Sequence, residues 1–565
     1  MGKGNRNRQE RAEDKIANPQ KYVEKKKKSA SPAFVGPLVF AVVVVLLAAV
    51  IVGNALIGAG VFMRARTAME SEDIEVDGAM MTYAVNSAYS NYLNYFYEMY
   101  SSILSSTSSS SQNINIYSYL GINPNISLKK QVYDKETGQT WFEYICEMAV
   151  AQIEEQLIYA QAAKEAGVTL NDEDKAAIED TMSQIAQYAK DYGYSVNDYI
   201  ALNYGKGVRE KDVRRILELN QLAAKYAQQI NDDLYAASTP EKVEAYFQEN
   251  NLDFLQADYL AYDLVAELGE GDDAQAKYEQ AKADLNAVAQ ALAATDSEEA
   301  FKDYIKNYKA DQIREEYTSK YYSDYLAEAV GDTDEEKAAA AQSKLDEKIA
   351  EDAAKEVEEI LTENYRHEDD SALSDWIFGA EGTLPAAANT TFVAEAVETE
   401  KKDKYTVTVY FLVSEAARAE GTTRTFTYLL MEDEIYPLSS AEAALEAFAN
   451  NEHTAETMLE LGKEYKNNSA CQTMTEVAKG QTGVEELDAW LYTDDRKAGD
   501  YTLISYTYED KKFHVLVVVD EIAPAEWYIE CRDAQVSEEM SDWYDEASKT
   551  HAVTVHEAVV NSVKL

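Results

Sequence analysis

One uninterrupted apolar run, Phe34 to Met63, divides this chain into two parts of opposite charge and constrains everything that follows it. Its centre, Val39 to Val52, holds no charged residue. At ~1.5 Å per helical residue the run is long enough to cross ~30 Å of hydrocarbon. Ahead of it stand ten Lys/Arg and four Asp/Glu, a net of +6, ending in Lys25-Lys26-Lys27-Lys28. Of the 52 basic and 102 acidic residues in the chain, 42 and 98 lie elsewhere, a net of −56. Positive flanks stay cytoplasmic, so the expected topology is a single-pass anchor with the N-terminus inside and roughly 500 residues outside. A secretory signal has an apolar core of ~7–15 residues behind a short basic stretch. The run here is about twice that length, and a mature chain beginning near Gly60 is the alternative. No Cys follows the run before Cys146, which excludes lipid attachment there.

The acidity of the outer part argues against nucleic acid, whose phosphates demand Lys/Arg surfaces. Tyr outnumbers Phe 41 to 14, and Tyr offers broad amphipathic contact with little rotamer entropy to lose. The three cysteines, Cys146, Cys471 and Cys531, are far apart and odd in number, so they supply neither a disulfide framework nor zinc spacing. The five histidines, His367, His453, His514, His551 and His556, form no metal-ligand spacing. No phosphate loop or nucleophile elbow is present, and neither metal nor cofactor is expected.

Periodicity predicts an α+β chain that is mostly helical. After a short strand and turn at Ile74 to Gly78 comes an aromatic-rich helix, Met80 to Tyr100, then a Ser-dense loop, Ser101 to Gln112. Helices follow over Trp141 to Gly167, Asp172 to Gly193 behind Asn171, a short one behind Ser195, and Val208 to Leu234. Thr239-Pro240 starts another. Strands read at Phe254 to Tyr262, Tyr405 to Val413, Arg424 to Met431 and Phe513 to Val519. The order strand, helices, Trp-containing segment, strand occurs twice, with Trp376 and Trp490 as core-packing residues, so two divergent copies of one unit are expected. The divisions are a basic tail over 1–33, the anchor over 34–63 and a helical domain over 70–252. Beyond these come an α+β unit over 253–416 with a helical insertion at about 272–365, a second unit over 424–523, and a C-terminal helix and strand over 524–565.

Four segments in the second unit are Thr427-Tyr428-Leu429-Leu430, Lys463-Glu464-Tyr465-Lys466-Asn467-Asn468, Ala489-Trp490-Leu491-Tyr492 and Lys512-Phe513-His514-Val515-Leu516. In this order they resemble a parvulin, the small prolyl isomerase fold. The block from about Ile74 to Asn250, with Tyr199 to Gly205 and Thr239-Pro240-Glu241-Lys242-Val243-Glu244-Ala245-Tyr246-Phe247, is similar to the peptide-binding domain of SurA- and PrsA-type foldases. In that family the last helix returns to complete the N-terminal domain, which Ser537 to Lys564 would do here.

The resemblance implies catalysis by two facing histidines, a nearby acid or Cys, and a Met/Leu–Phe pocket. Here His514 matches one histidine, Tyr428 stands at the other, Asn467 or Asn468 holds the acid position, and the pocket stretch is shortened to Gly480 to Leu487. His514 and Tyr428 are therefore the candidate catalytic residues. In the first unit Thr406 takes the His514 position and Leu260 or a neighbour the other, so that copy is expected to be inactive. The expected function is a bacterial, membrane-anchored, extracytoplasmic foldase or chaperone binding unfolded secreted chains, with weak or no isomerase activity. The rivals are an active prolyl isomerase and a non-enzymatic envelope adaptor. The expected partners are exported polypeptides and, through residues 34–63, the bilayer.

Overall fold

A computed structural model describes residues 63–107, 116–271, 273–368, 371–380, 383–465, 469–508 and 510–565. The basic tail and, apart from Met63, the expected anchor lie outside them. Among the described residues no helix is long and apolar enough to cross a membrane. The chain is α+β and mostly helical, with three antiparallel sheets. The described residues divide into two compact bodies, one comprising 63–239 together with 534–565, the other 240–533.

The first body begins with β1 (Thr67–Glu70) and β2 (Glu75–Asp77), followed by α1 (Gly78–Thr107), α2 (Trp141–Glu165), α3 (Asp172–Asp191), α4 (Val196–Asn203) and α5 (Glu210–Ala237). Local chemistry sets most of these limits. Asp77 Oδ1 accepts from the backbone N–H groups of Ala79 and Met80, which starts α1. Thr140 with Glu143, and Asn171 with Asp174, form reciprocal capping boxes, while Ser195 caps α4. Such caps are worth ~1 kcal/mol each. Gly167, at φ +73°, ends α2, and the Val168 N–H reaches back to the Ala163 carbonyl. The Ser-dense stretch expected as a loop is helical through Thr107. A run of Ser carries only a mild helix penalty, and the apolar face of α1 outweighs it.

Met81, Val85, Ile145, Ile153, Leu157, Ile216 and Leu219 form the core among α1, α2 and α5. The chain's last residues close it, adding Val559, Val560 and Val563. A second cluster joins α3 and α4 to the start of α5 through Ile178, Met182, Ile185, Ile200, Tyr204 and Val213. Beside it Gly205, at φ +104°, approaches so closely that a Cβ there would lie 2.6 Å from Thr82 Cγ2.

The second body opens with α6 (Pro240–Asn250), which the sequence assigned to the helical domain. Phe247 packs instead against Phe254 and Trp527, and Arg418 lies over the Phe247 and Trp527 rings. Then come β3 (Leu255–Glu267), α7 (Ala274–Leu292), α8 (Glu298–Glu328), α9 (Asp334–Glu358), β4 (Glu363–Arg366) and α10 (Ala372–Phe378). The first unit ends with β5 (Thr391–Val393), β6 (Val397–Glu398), β7 (Lys404–Leu412) and β8 (Ala417–Arg418). The second unit runs β9 (Thr422–Glu432), α11 (Leu438–Ala449), α12 (Ala455–Gly462), β10 (Ser469–Val477), α13 (Glu485–Leu491), β11 (Tyr501–Tyr508) and β12 (Lys511–Ala525). Helix α14 (Glu526–Thr550) contributes its first turns to this body and the rest, with β13 (Thr554–Val555) and α15 (Glu557–Val560), to the first, where β13 pairs with β1.

Both large sheets share one order. The first is β4-β3-β7-β5 with β6 also on β7, and the second is β10-β9-β12-β11. Each unit's first and last long strands are therefore central, and a helix pair covers one face. In the first unit α7 and the start of α8 pack Tyr278, Leu285, Leu292, Phe301 and Ile305 on Leu260, Leu264, Val409 and Phe411. In the second α11 and α12 pack Ala444, Phe448 and Met458 on Leu429, Met431, Leu516 and Val518. Since α7 has a counterpart in α11, the extra helical matter is narrower than 272–365. It is the hairpin of the remainder of α8 with α9, joined by a seam of Ala341, Leu345, Ile349 and Ala353 and by ion pairs such as Arg314–Asp346 at 2.7 Å.

Candidate functional site

Strands alternate their faces, so the register of β9 against β12 decides which residues can meet. Met431 pairs with His514, Leu429 with Leu516, and Tyr428 with Val517. His514 therefore shares the face covered by α11 and α12, whereas Tyr428 shares the other with Phe426, Leu430, Val515 and Val517. The expected His514–Tyr428 pair is not formed: directly paired residues share a face, and these two belong to opposite ones. Asn467 and Asn468 lie outside the described residues. Thr406, expected at the His514 position of the first unit, pairs with Val265 and stands on the face away from α7 and α8, where Tyr405 and Val407 are the helix-facing residues. Leu260 is a core residue against those helices.

His514 is fully buried and satisfied at both ring nitrogens. Nδ1 lies 2.7 Å from Ser505 Oγ on the neighbouring β11, directly across from it in register. Nε2 lies 2.7 Å from Asp433 Oδ1, just past the end of β9. Asp433 is held in turn by its backbone N–H, which donates to the Lys512 carbonyl at 2.9 Å. With the ring proton on Nε2, that nitrogen donates to the Asp433 carboxylate and Nδ1 is left to accept from the Ser505 hydroxyl. Ser505 itself is exposed and lines a groove of about 780 Å³ with Leu438, Glu442, Leu445, His453, Arg496, Tyr501 and Leu503. Neither Ser505 nor Asp433 was identifiable from sequence, because what links them to His514 is strand register.

The Tyr428 face is an aromatic surface. Trp490, Tyr492, Ile504 and Tyr506 lie half-buried around Tyr428, whose hydroxyl accepts from Gln472 Nε2 at 2.6 Å. Trp490 also carries the Arg496 guanidinium 4.0 Å above its ring, and Trp376 stacks on Phe392 at 5.4 Å.

The first body carries a larger aromatic ledge on α1, α2 and the segment before α2. Tyr92 contacts Phe96, Trp141 and Tyr144 at ring separations of 4.8, 5.7 and 5.7 Å. Tyr133 stacks on Tyr144 at 3.9 Å, and Tyr95 abuts Phe96 at 5.3 Å. Burial, with the Tyr133 hydroxyl adding to it, pushes the Tyr144 phenol up to about 12, and burial also raises Tyr92. These hydroxyls stay neutral donors at any physiological pH. Tyr95 and Tyr133 of this ledge are exposed, and in the same body so are Tyr97, Tyr119, Ile126, Val132 and Met148. Among the described residues no cluster of His, Cys, Asp and Glu has the geometry to hold a metal ion.

No protein-family model matches this chain, and no curated protein does either.

Proposed function

We propose that this chain is a membrane-anchored extracytoplasmic chaperone or foldase, of the SurA/PrsA type, that binds unfolded exported polypeptides through its first body. The observation that carries the reading is the aromatic ledge from Tyr92 to Tyr144, whose packed rings include the exposed Tyr95 and Tyr133. Such a surface gives unfolded chains apolar contact together with adaptable hydroxyl donors, which suits many clients better than a fixed set of hydrogen bonds. A net charge of −50 keeps the protein soluble while it holds apolar clients.

Two further features support it. Three of the four parvulin-like segments fall on β9, α13 and β12, and the described part of the fourth, Lys463 to Tyr465, directly follows α12. The chain's C-terminal segment completes the body that its N-terminal residues begin. With Tyr428 and His514 on opposite faces, the two-histidine chemistry has no counterpart, and the α+β units serve in client handling rather than isomerisation. The anchor over 34–63 places the protein at the membrane.

The test is suppression of client aggregation by the full-length protein, compared with a Tyr95→Ser/Tyr133→Ser double variant. The expected result is suppression by the parent and a several-fold loss in the variant, with an unchanged circular dichroism spectrum. Equal suppression by both removes the ledge as the client surface, and absence of suppression in the parent removes the chaperone reading.

A further inference from the structure

We propose that Ser505, His514 and Asp433 form an acyl-transfer site that opens into the groove between α11 and β11 and accepts short, neutral acyl esters. The three side chains lie in line: a hydroxyl on an exposed strand position, a buried imidazole 2.7 Å from it, and a carboxylate 2.7 Å beyond the other ring nitrogen. This is the arrangement that activates a serine, with the base within hydrogen-bond reach of the nucleophile and a third group fixing the tautomer of the base.

The surroundings supply the remaining parts. The groove, about 780 Å³, falls within the ~300–1,000 Å³ of small-molecule sites. Leu438, Leu445, Tyr501 and Leu503 give it an apolar wall that suits an acyl chain. β11 is the last strand of its sheet among the described residues, so alternate backbone N–H groups on its outer edge have no strand partner. Arg496 in the groove is committed to Asp500, Thr493 and the Trp490 carbonyl, and Glu442 adds negative charge, so a neutral ester is favoured over an anionic one.

The step balances without any cofactor. Ser505 Oγ bonds to the ester carbonyl carbon while its proton passes to His514 Nδ1. The C–O bond to the leaving alcohol then breaks, and the alkoxide takes that proton. Water then attacks the acyl carbon while losing a proton to His514, the bond from that carbon to Ser505 Oγ breaks, and Oγ takes the proton back from His514 as the acid leaves. Ser505 and His514 are the catalytic residues, and Asp433 is a positioning residue. The site is independent of the aromatic ledge and of the chaperone reading.

The test is labelling of the full-length protein with a short-chain alkyl fluorophosphonate, the modified residue being located by peptide mass. The expected result is an adduct on Ser505, absent in Ser505→Ala, a surface change that leaves the fold intact. His514→Gln and Asp433→Asn each slow labelling by about a hundredfold or more, and Asp433→Glu restores part of the rate. Hydrolysis of p-nitrophenyl butyrate follows the same order. The proposal is overturned if Ser505 reacts no faster than a serine in an unfolded peptide. It is equally overturned if Asp433→Asn, with an unchanged circular dichroism spectrum, labels as fast as the parent.

Discussion

Tyr428 lies across from Val517 and His514 across from Met431, so the two rings leave the sheet on opposite faces. Isomerisation of a prolyl bond crosses a barrier of ~18–20 kcal/mol, and an enzyme lowers it by converging groups on one amide. Divergent groups cannot converge. The rate on a proline-containing peptide is therefore expected to match the uncatalysed one and to be the same in His514→Ala. The variant does lose stability, because truncating a fully buried side chain leaves a cavity. A loss of ~1–3 kcal/mol is expected in chemical denaturation. A parent rate that collapses in His514→Ala, with the fold retained, would contradict the opposite-face geometry.

Arg64 and Asp212 make the tightest test of the first body. Asp212 is fully buried in the first turn of α5, and Arg64 reaches its two carboxylate oxygens with Nε at 2.8 Å and Nη2 at 2.5 Å. Removing the guanidinium leaves a buried carboxylate held only by the Arg209 backbone N–H at 2.9 Å. Arg64→Ala is expected to cost ~3–5 kcal/mol in urea unfolding, whereas Arg64→Met/Asp212→Leu costs much less, since no charge is stranded.

The C-terminal segment is structural. β13 pairs Val555 with Met69, and Val559, Val560 and Val563 sit in the first body's core. Their burial is worth ~1.5–3 kcal/mol apiece, which together rivals a whole domain's ~5–15 kcal/mol. Deleting residues 552–565 is therefore expected to make the first body sensitive to limited proteolysis while fragments from 240–533 remain protected. Equal resistance of both bodies would show that the segment is dispensable.

Asp174 gives a pH dependence with a defined sign. Burial works against its ionisation, yet Lys225 Nζ at 2.5 Å, the Asn171 backbone N–H and Gln221 outweigh this and hold its carboxyl below the ordinary value. A carboxyl depressed in the folded state stabilises above its unfolded pKa of ~3.9, and the contribution is lost as pH falls through the lower folded value. The stability gap between the parent and Asp174→Asn is expected to be constant from pH 5 to 7 and to close on acidification below about pH 4. A gap that widens on acidification would reverse the assignment.

Helix limits were readable wherever local chemistry sets them. Asn171, Ser195 and Gly167 act through their own backbone neighbours, and each ends or starts a helix where the sequence placed it. The apolar centres of β9 and β12 were readable because a strand buried on both faces is apolar throughout. The edge strands were not. β10 is half polar, Ser469-Ala470-Cys471-Gln472-Thr473-Met474-Thr475-Glu476-Val477, since one of its sides pairs with nothing among the described residues. Its identity comes from the neighbour it joins.

The sequence by itself determined the charge division around Phe34 to Met63, the mostly helical α+β class, and the repeat of one unit, because these rest on composition and on periods of a few residues. Only the tertiary structure decided which residues share a site. Pairing strands in a sheet allots each side chain to a face, and a slip of one residue reverses every assignment. That parity separates Tyr428 from His514 and brings Ser505, His514 and Asp433, distant in the chain, into one hydrogen-bonded line.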